Sequence, residues 1–174
     1  VVTVQPLGED DALVAVLSND TGEDWSTTVH ARRLSYAGTE HAGIRAEVTV
    51  PARGTVRVAL DPSVASPDVA THEFVIVDAD EARGARYFAE QRDSALPAHA
   101  VHVATAAAPG GTAVTLTAEA FVRDATLLVD KVSPHAQASY ALITLLPGES
   151  ATILVRHEGE TLDAVGVRYK GSIG

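Results

Sequence analysis

Ile44-Arg45-Ala46-Glu47-Val48-Thr49-Val50 alternates apolar with charged or hydroxyl residues, and after Pro51-Ala52-Arg53 the stretch Gly54-Thr55-Val56-Arg57-Val58-Ala59-Leu60 does so again. A period of two is that of a strand with one face buried, because successive side chains point to opposite sides of a pleated backbone. Both stretches therefore read as strands. The three-residue link is short enough for a hairpin loop, which predicts that the two strands pair with each other.

The same pattern extends in both directions. Residues 12–17, 25–34, 73–77 and 85–88 read as strands, set off by turn-formers such as Asn19-Asp20-Thr21-Gly22, Gly38 and Asp61-Pro62. A second series follows Pro97, at 101–104, 113–122, 126–129, 142–146, 152–155 and 164–169, separated by Pro109-Gly110-Gly111, Pro134, Pro147-Gly148 and Gly159. Pro147-Gly148 suits the centre of a type II turn, since proline presets φ and glycine accepts a positive one; residues 142–155 are thereby expected to form a hairpin. Both alternating sets of residues 142–146 are largely apolar, as in a fully enclosed strand or one in contact with another domain. No window of 12 or more residues carries a helical stripe, and Asp80 to Arg83 is expected to form a turn of helix at most.

Short strands every 8 to 12 residues, in two series, indicate an all-β chain of two antiparallel β-sandwiches. The polar segment from Glu90 to Pro97 is the expected junction, giving domains 1–97 and 98–174. A length of 174 residues accommodates two small sandwiches, and domains of that size need no disulfide, consistent with Cys 0. Lys+Arg 13 against Asp+Glu 23 leaves a net charge of −10, which argues against a nucleic-acid partner. Up to residue 97 there are 8 basic and 16 acidic residues, and beyond it 5 and 7, so the acidity lies mainly in the first half. No 18-residue apolar stretch predicts a membrane span, and no basic-then-apolar N-terminus reads as a signal peptide. Met 0 with Val1 at the start is expected of a chain that was processed or cut from something longer.

Candidate chemistry is sparse. His99 and His102 are the closest histidine pair, but residues three apart on a strand face opposite ways and cannot share one ion, so no metal is expected there. Asp78, Asp80 and Glu81 form the densest carboxylate cluster, yet Ala82 and Arg83 stand where a calcium loop needs its third acid and its glycine. A solvated acidic turn, partly neutralised by Arg83 and Arg86, is the preferred reading. Asn19-Asp20-Thr21 matches the glycosylation sequon and reads equally well as a tight turn. No nucleophile elbow, phosphate-cradling loop or His-Glu-x-x-His helix occurs, so no catalytic residue, cofactor site or metal site is assigned. Phe74, Phe121 and Tyr169 fall at core or edge positions. Trp25, opening a strand after a polar turn, serves either as a core anchor or as a platform for a ligand such as an oligosaccharide, and the anchor is preferred in a chain with Trp 1. Tyr87-Phe88 places one ring on each face of a strand, which makes Tyr87 the second possible platform.

Three stretches resemble a known family. Val16-Leu17-Ser18-Asn19-Asp20-Thr21, with Trp25 and Gly38, is similar to the segment opening the immunoglobulin-like domain behind the catalytic barrel of glycoside hydrolase family 2 β-mannosidases. Arg86-Tyr87-Phe88-Ala89-Glu90, running on to Leu96-Pro97, resembles the segment that ends that domain. Phe121 to Asp130, with Leu145-Leu146-Pro147-Gly148-Glu149-Ser150, is similar to the last sandwich domain of those enzymes. The resemblance implies two tandem immunoglobulin-like sandwiches from the C-terminal, non-catalytic part of a retaining exo-β-mannosidase. Its implied partners are the catalytic barrel and N-terminal domains of the same chain. The family's catalytic glutamates sit on a barrel of some 200 or more residues, and none of the present residues maps onto them. The rival readings are a carbohydrate-binding module and a surface adhesion-type sandwich pair. Abundant Ala, Val and Arg, with Lys131 and Lys170 as the two lysines, suggest a GC-rich bacterial source, with the cytoplasm slightly favoured.

Overall fold

The computed structural model describes residues 1–7, 12–98, 101–131, 134–158, 162 and 169–170. They are mostly β, in four antiparallel sheets. The chain divides into two compact units, Val1–Ser94 and Ala95–Gly174.

In the first unit, β1 (Val2–Leu7), β2 (Ala12–Ser18) and β5 (Thr55–Ala59) form one sheet in the order β1-β2-β5. The strands β3 (Trp25–Ser35), β4 (Glu40–Val50), β6 (Glu73–Ala79) and β7 (Ala82–Tyr87) form the other, in the order β4-β3-β6-β7. Leu13, Ala15 and Leu17 from the first sheet and Val29, Ala31, Val75 and Val77 from the second belong to one buried cluster, so the sheets face each other across a shared apolar layer. A four-residue helix, α1 (Pro62–Ala65), links β5 to β6; the Asp61 carboxylate caps it by accepting from the Ser63 N–H at 2.8 Å.

The second unit repeats the plan. One sheet runs β11-β13-β9-β8, from β8 (Val101–Ala108), β9 (Gly111–Ala118), β11 (Gln137–Ala138) and β13 (Ser150–Arg156). The other runs β12-β10-β14, from β10 (Val122–Leu127), β12 (Ile143–Leu145) and β14 (Tyr169–Lys170). Val114, Leu116, Ile153 and Val155 meet Val122, Ala125, Leu127 and Leu145 in a single core.

Both predicted hairpins are corrected. Strand β4 pairs with β3, and β5 with β2, so the turn at Pro51 to Gly54 carries the chain from one sheet to the facing one. Likewise β12 pairs with β10 and β13 with β9. Alternation recurs in strands that pair and in strands that face each other, and a four-residue link can bridge sheets about 10 Å apart. The type II geometry at Pro147-Gly148 is present, with Gly148 at φ 82 and the Glu149 N–H donating to Leu146 O at 3.0 Å. Among the described turns, hairpins reverse at Gly38 (φ 88), at Asp80-Glu81 and at Pro109-Gly110, and β1 pairs antiparallel with β2. Asp80 to Arg83 is thus a β-turn running into β7, with no helical residue.

The predicted strand 113–122 is two strands. The chain leaves one sheet after Ala118 and enters the other at Val122, with Phe121 buried at the crossing. Residues 142–146 are not enclosed: Leu145 is buried, but Leu142 is 69% exposed and stands at φ 58. The predicted strand 164–169 lies outside the described residues except for its last position, which opens β14.

Candidate functional site

Asn19 organises the loop after β2. Its buried amide nitrogen donates to Glu23 O at 2.7 Å and to Val50 O and Pro51 O at 3.2 Å, while Oδ1 accepts from the Thr21 N–H at 3.1 Å and the Thr21 hydroxyl at 2.8 Å. The Asp24 carboxylate accepts from the Ala52 N–H at 2.9 Å. These contacts bind the loop to the sheet-crossing turn. Among the two readings of Asn19-Asp20-Thr21, the structure places the asparagine in a turn, with its amide buried and fully engaged.

Trp25 follows directly and opens β3 opposite Val50. It is half-buried against the core of the unit, and its indole Nε1 donates to Asp80 Oδ2 at 2.8 Å, across 55 residues of sequence. Asp80 stands at φ 50 in the two-residue link between β6 and β7, a left-handed conformation unusual for a residue other than glycine. Loop and hairpin together flank an open, shallow cleft of about 600 Å³ lined by Trp25 and by Asp20, Glu23, Asp24, Asp80 and Glu81. Among the described residues no lysine, arginine or histidine lines it; Val1 and Ser18 do.

Tyr87 lies elsewhere. It stacks on Phe74 with ring centroids 5.9 Å apart, and Phe74 stacks on Tyr36 at 5.3 Å. Phe74 is the second residue of β6 and Asp80 follows its end, a separation of roughly 20 Å at 3.3 Å per residue. Phe88, on the opposite face from Tyr87, packs against the first core. The two possible platforms therefore do not form one surface.

Of the carboxylates singled out from sequence, Asp78 separates from Asp80 and Glu81. It is bracketed by Arg32, at 2.6 Å from Oδ2, and by Arg83, at 2.6 Å from Oδ1. Arg86 is not its partner, because the register pairs Asp78 with Arg83, and a residue three further along faces the other way. Sequence reading missed Arg32 and a second, buried pair, Arg33 with Glu73. Arg33 also meets Asp68 at 3.0 Å and donates to Ser63 O at 2.9 Å, and Glu73 accepts from the Val69 N–H at 2.9 Å. Burial pushes the Glu73 carboxyl up, but the Val69 N–H and the Arg33 guanidinium outweigh it and hold the group below its ordinary range. The pair fastens the segment carrying α1 to the sheet. No residue spacing announces it, since the partners stand 40 apart.

His99 lies outside the described residues, and His102 is exposed on β8. Among the described residues no three His, Cys, Asp or Glu side chains converge as metal ligands would.

No family model matches this sequence, and no curated protein matches it either. Solved structures do. The chain superposes on a β-D-mannosidase from Dictyoglomus thermophilum with a TM-score of 0.77 at 16% identity, covering 98% of this chain and 21% of that one. It superposes on the exo-chitosanase CsxA of Amycolatopsis orientalis with a TM-score of 0.60 at 15% identity, covering 98% of this chain and 25% of that one. The chain thus spans about a fifth to a quarter of the glycosidases whose fold it shares over that length.

Proposed function

We propose that this chain is a non-catalytic accessory region of a larger glycosidase of the β-mannosidase type in glycoside hydrolase family 2, made of two tandem immunoglobulin-like sandwiches that pack against the catalytic barrel. The observation that carries the reading is the superposition of 98% of the chain on 21% of a β-mannosidase, a share too small to be the whole of that enzyme. Strand order supports it. With β1 to β7 lettered A, B, C, C′, E, F and G, the first unit sets A-B-E against C′-C-F-G, an immunoglobulin-like arrangement whose fourth strand has moved from one sheet to the other.

Exposed apolar groups supply the docking argument. Tyr140 is 63% and Leu142 is 69% exposed, two residues apart, and Leu142 is held in a left-handed conformation that costs a leucine roughly 1 to 2 kcal/mol. A large apolar pair, presented at a cost, is what a contact with a further domain requires. The outer face of β8, β9 and β13 adds a surface with His102, Thr117 and Ser150 in one row and Ala104, Thr115 and Thr152 in the next, none of them a carboxylate, lysine or arginine.

An assay of the chain on an aryl β-mannoside tests the non-catalytic half of the proposal. The expected rate is that of buffer, and turnover near that of intact glycosidases would overturn it.

A further inference from the structure

We infer that the free edge of β8 pairs with the same edge of a second copy of this chain, so that two second units share one continuous antiparallel sheet. The inference goes beyond the accessory role and does not depend on it.

An edge strand turns the N–H and C=O of every second residue away from its neighbour, and that open row is a template for another strand. Proteins ordinarily blunt such edges with charge, proline, a bulge or shortness. The other described edges of this chain follow the rule. Strand β1 carries Pro6, β5 carries Arg57, β4 carries Arg45 and Glu47, and β7 carries Arg83. Strands β11 and β12 are two and three residues long, and the described β14 ends on Lys170. Strand β8 breaks the rule: Val101-His102-Val103-Ala104-Thr105-Ala106-Ala107-Ala108 is eight residues without Lys, Arg, Asp, Glu or Pro. Its register with β9 is unbroken, from Val101 opposite Ala118 to Ala108 opposite Gly111, and among the described residues β9 is its one strand partner.

Two features select a second copy as the occupant. The first is the side-chain pattern. Val101 and Val103 pack on the second core yet stay half-buried, whereas Val114 and Leu116 on β9 are fully buried, so the apolar layer stops open at β8. A strand of the same alternation extends that layer. Antiparallel pairing about a two-fold axis perpendicular to the sheet supplies it, because residues directly opposite each other then point to the same face: the exposed Ala104 and Ala106 stay on the outer face of both copies and the valines on the inner. The second feature is charge. The chain carries −10, but residues 98–174 hold 5 basic and 7 acidic residues, so the second unit is close to neutral. Beside β8 the outer-face hydroxyls are uncharged and bond one another, Thr117 with Ser150 at 2.8 Å and Thr115 with Thr152 at 2.9 Å. Two copies that approach along this strip bring no row of like charges together. An edge of eight residues is about 26 Å long and buries less than a standard interface, so the dimer is a weak and reversible one.

Sedimentation equilibrium of the 174-residue chain tests the pairing. The expected result is a reversible shift from the 18.1 kDa monomer toward twice that mass between about 10 μM and about 1 mM, as suits an interface of this size. Ala104→Lys combined with Ala106→Lys sets like charges across the two-fold axis and should weaken association by about fivefold or more. Both alanines are exposed, so the variant keeps the fold, which circular dichroism checks. Thr152→Lys adds the same charge to the same outer face, but on β13, two strands from the edge, and should leave association unchanged. In hydrogen exchange, every second amide of β8 should slow as the concentration rises. A monomer at every concentration, association that survives the double variant or is lost equally with Thr152→Lys, or β8 amides all protected already in the dilute monomer would each overturn the inference.

Discussion

At Gly84 packing leaves no choice. A Cβ there would lie 2.8 Å from Val2 O and 3.2 Å from Thr3 Cα, both backbone, so β1 crosses β7 at a distance that only glycine permits. Gly84→Ala is expected to cost about 1 to 3 kcal/mol in urea denaturation, because neither chain segment can move a side chain aside. Leu142 is the opposite case. It is exposed and left-handed, so Leu142→Gly relieves strain without opening a cavity, and the account expects unchanged or higher stability, by up to about 1 kcal/mol. A clear loss would show that the leucine is held by packing. At this scale the sequence was a partial guide. Trp25 was recognisable as a ring awaiting a role and Asp80 as part of an acidic turn, but their hydrogen bond joins positions 55 apart and depends on a strand pairing that no local pattern encodes.

Among elements, the strands were legible and their partners were not. Alternation located β3, β4 and β5, which bury one face, and apolar runs between turn-formers located β2 and β6, which are buried on both; glycines and prolines that accept or preset unusual φ marked the turns at Gly38, Pro109-Gly110 and Pro147-Gly148. Pairing failed at Pro51 to Gly54 and at Pro147-Gly148, where a tight turn joins facing sheets. The glycines distinguish two kinds of constraint. Gly148 has φ 82 and open space around it, so Gly148→Ala should cost about 1 kcal/mol through backbone strain alone. Gly111 has an ordinary φ, but a Cβ would fall 2.0 Å from Val155 O on the neighbouring strand, so Gly111→Ala should cost more and should loosen the β9–β13 pairing in hydrogen exchange. Equal costs at the two positions would contradict the assignment.

Across the whole molecule, half-buried His30 and buried Glu73 contribute to the response to acid, and the Asp61 carboxylate, held low by its hydrogen bonds to Ser63, adds to the lower part of it. Burial, with Arg45 and Arg32 nearby, lowers the His30 pKa below 6.5, so the unfolded chain binds a proton first and stability falls as pH drops below that value. The Glu73 carboxyl is held below 4.5, so its contribution is complete above that pH and is lost as the pH falls through the folded value. Stability followed by thermal melting should therefore decline in two windows. His30→Asn should remove the upper one. Glu73→Gln should shrink the lower one, leaving the part due to Asp61, and cost about 2 to 4 kcal/mol at neutral pH, since it leaves the Arg33 guanidinium buried with Asp68 as its carboxylate partner among the described residues.

The account as a whole rests on the chain being an accessory region that docks on a glycosidase barrel, and the polypeptide preceding Val1 in the native protein tests that most directly. Sequencing the native protein by mass spectrometry should find, upstream, a barrel of some 200 residues or more with two glutamates at strand ends. An export signal or an initiator methionine directly before Val1, with no barrel, would contradict it.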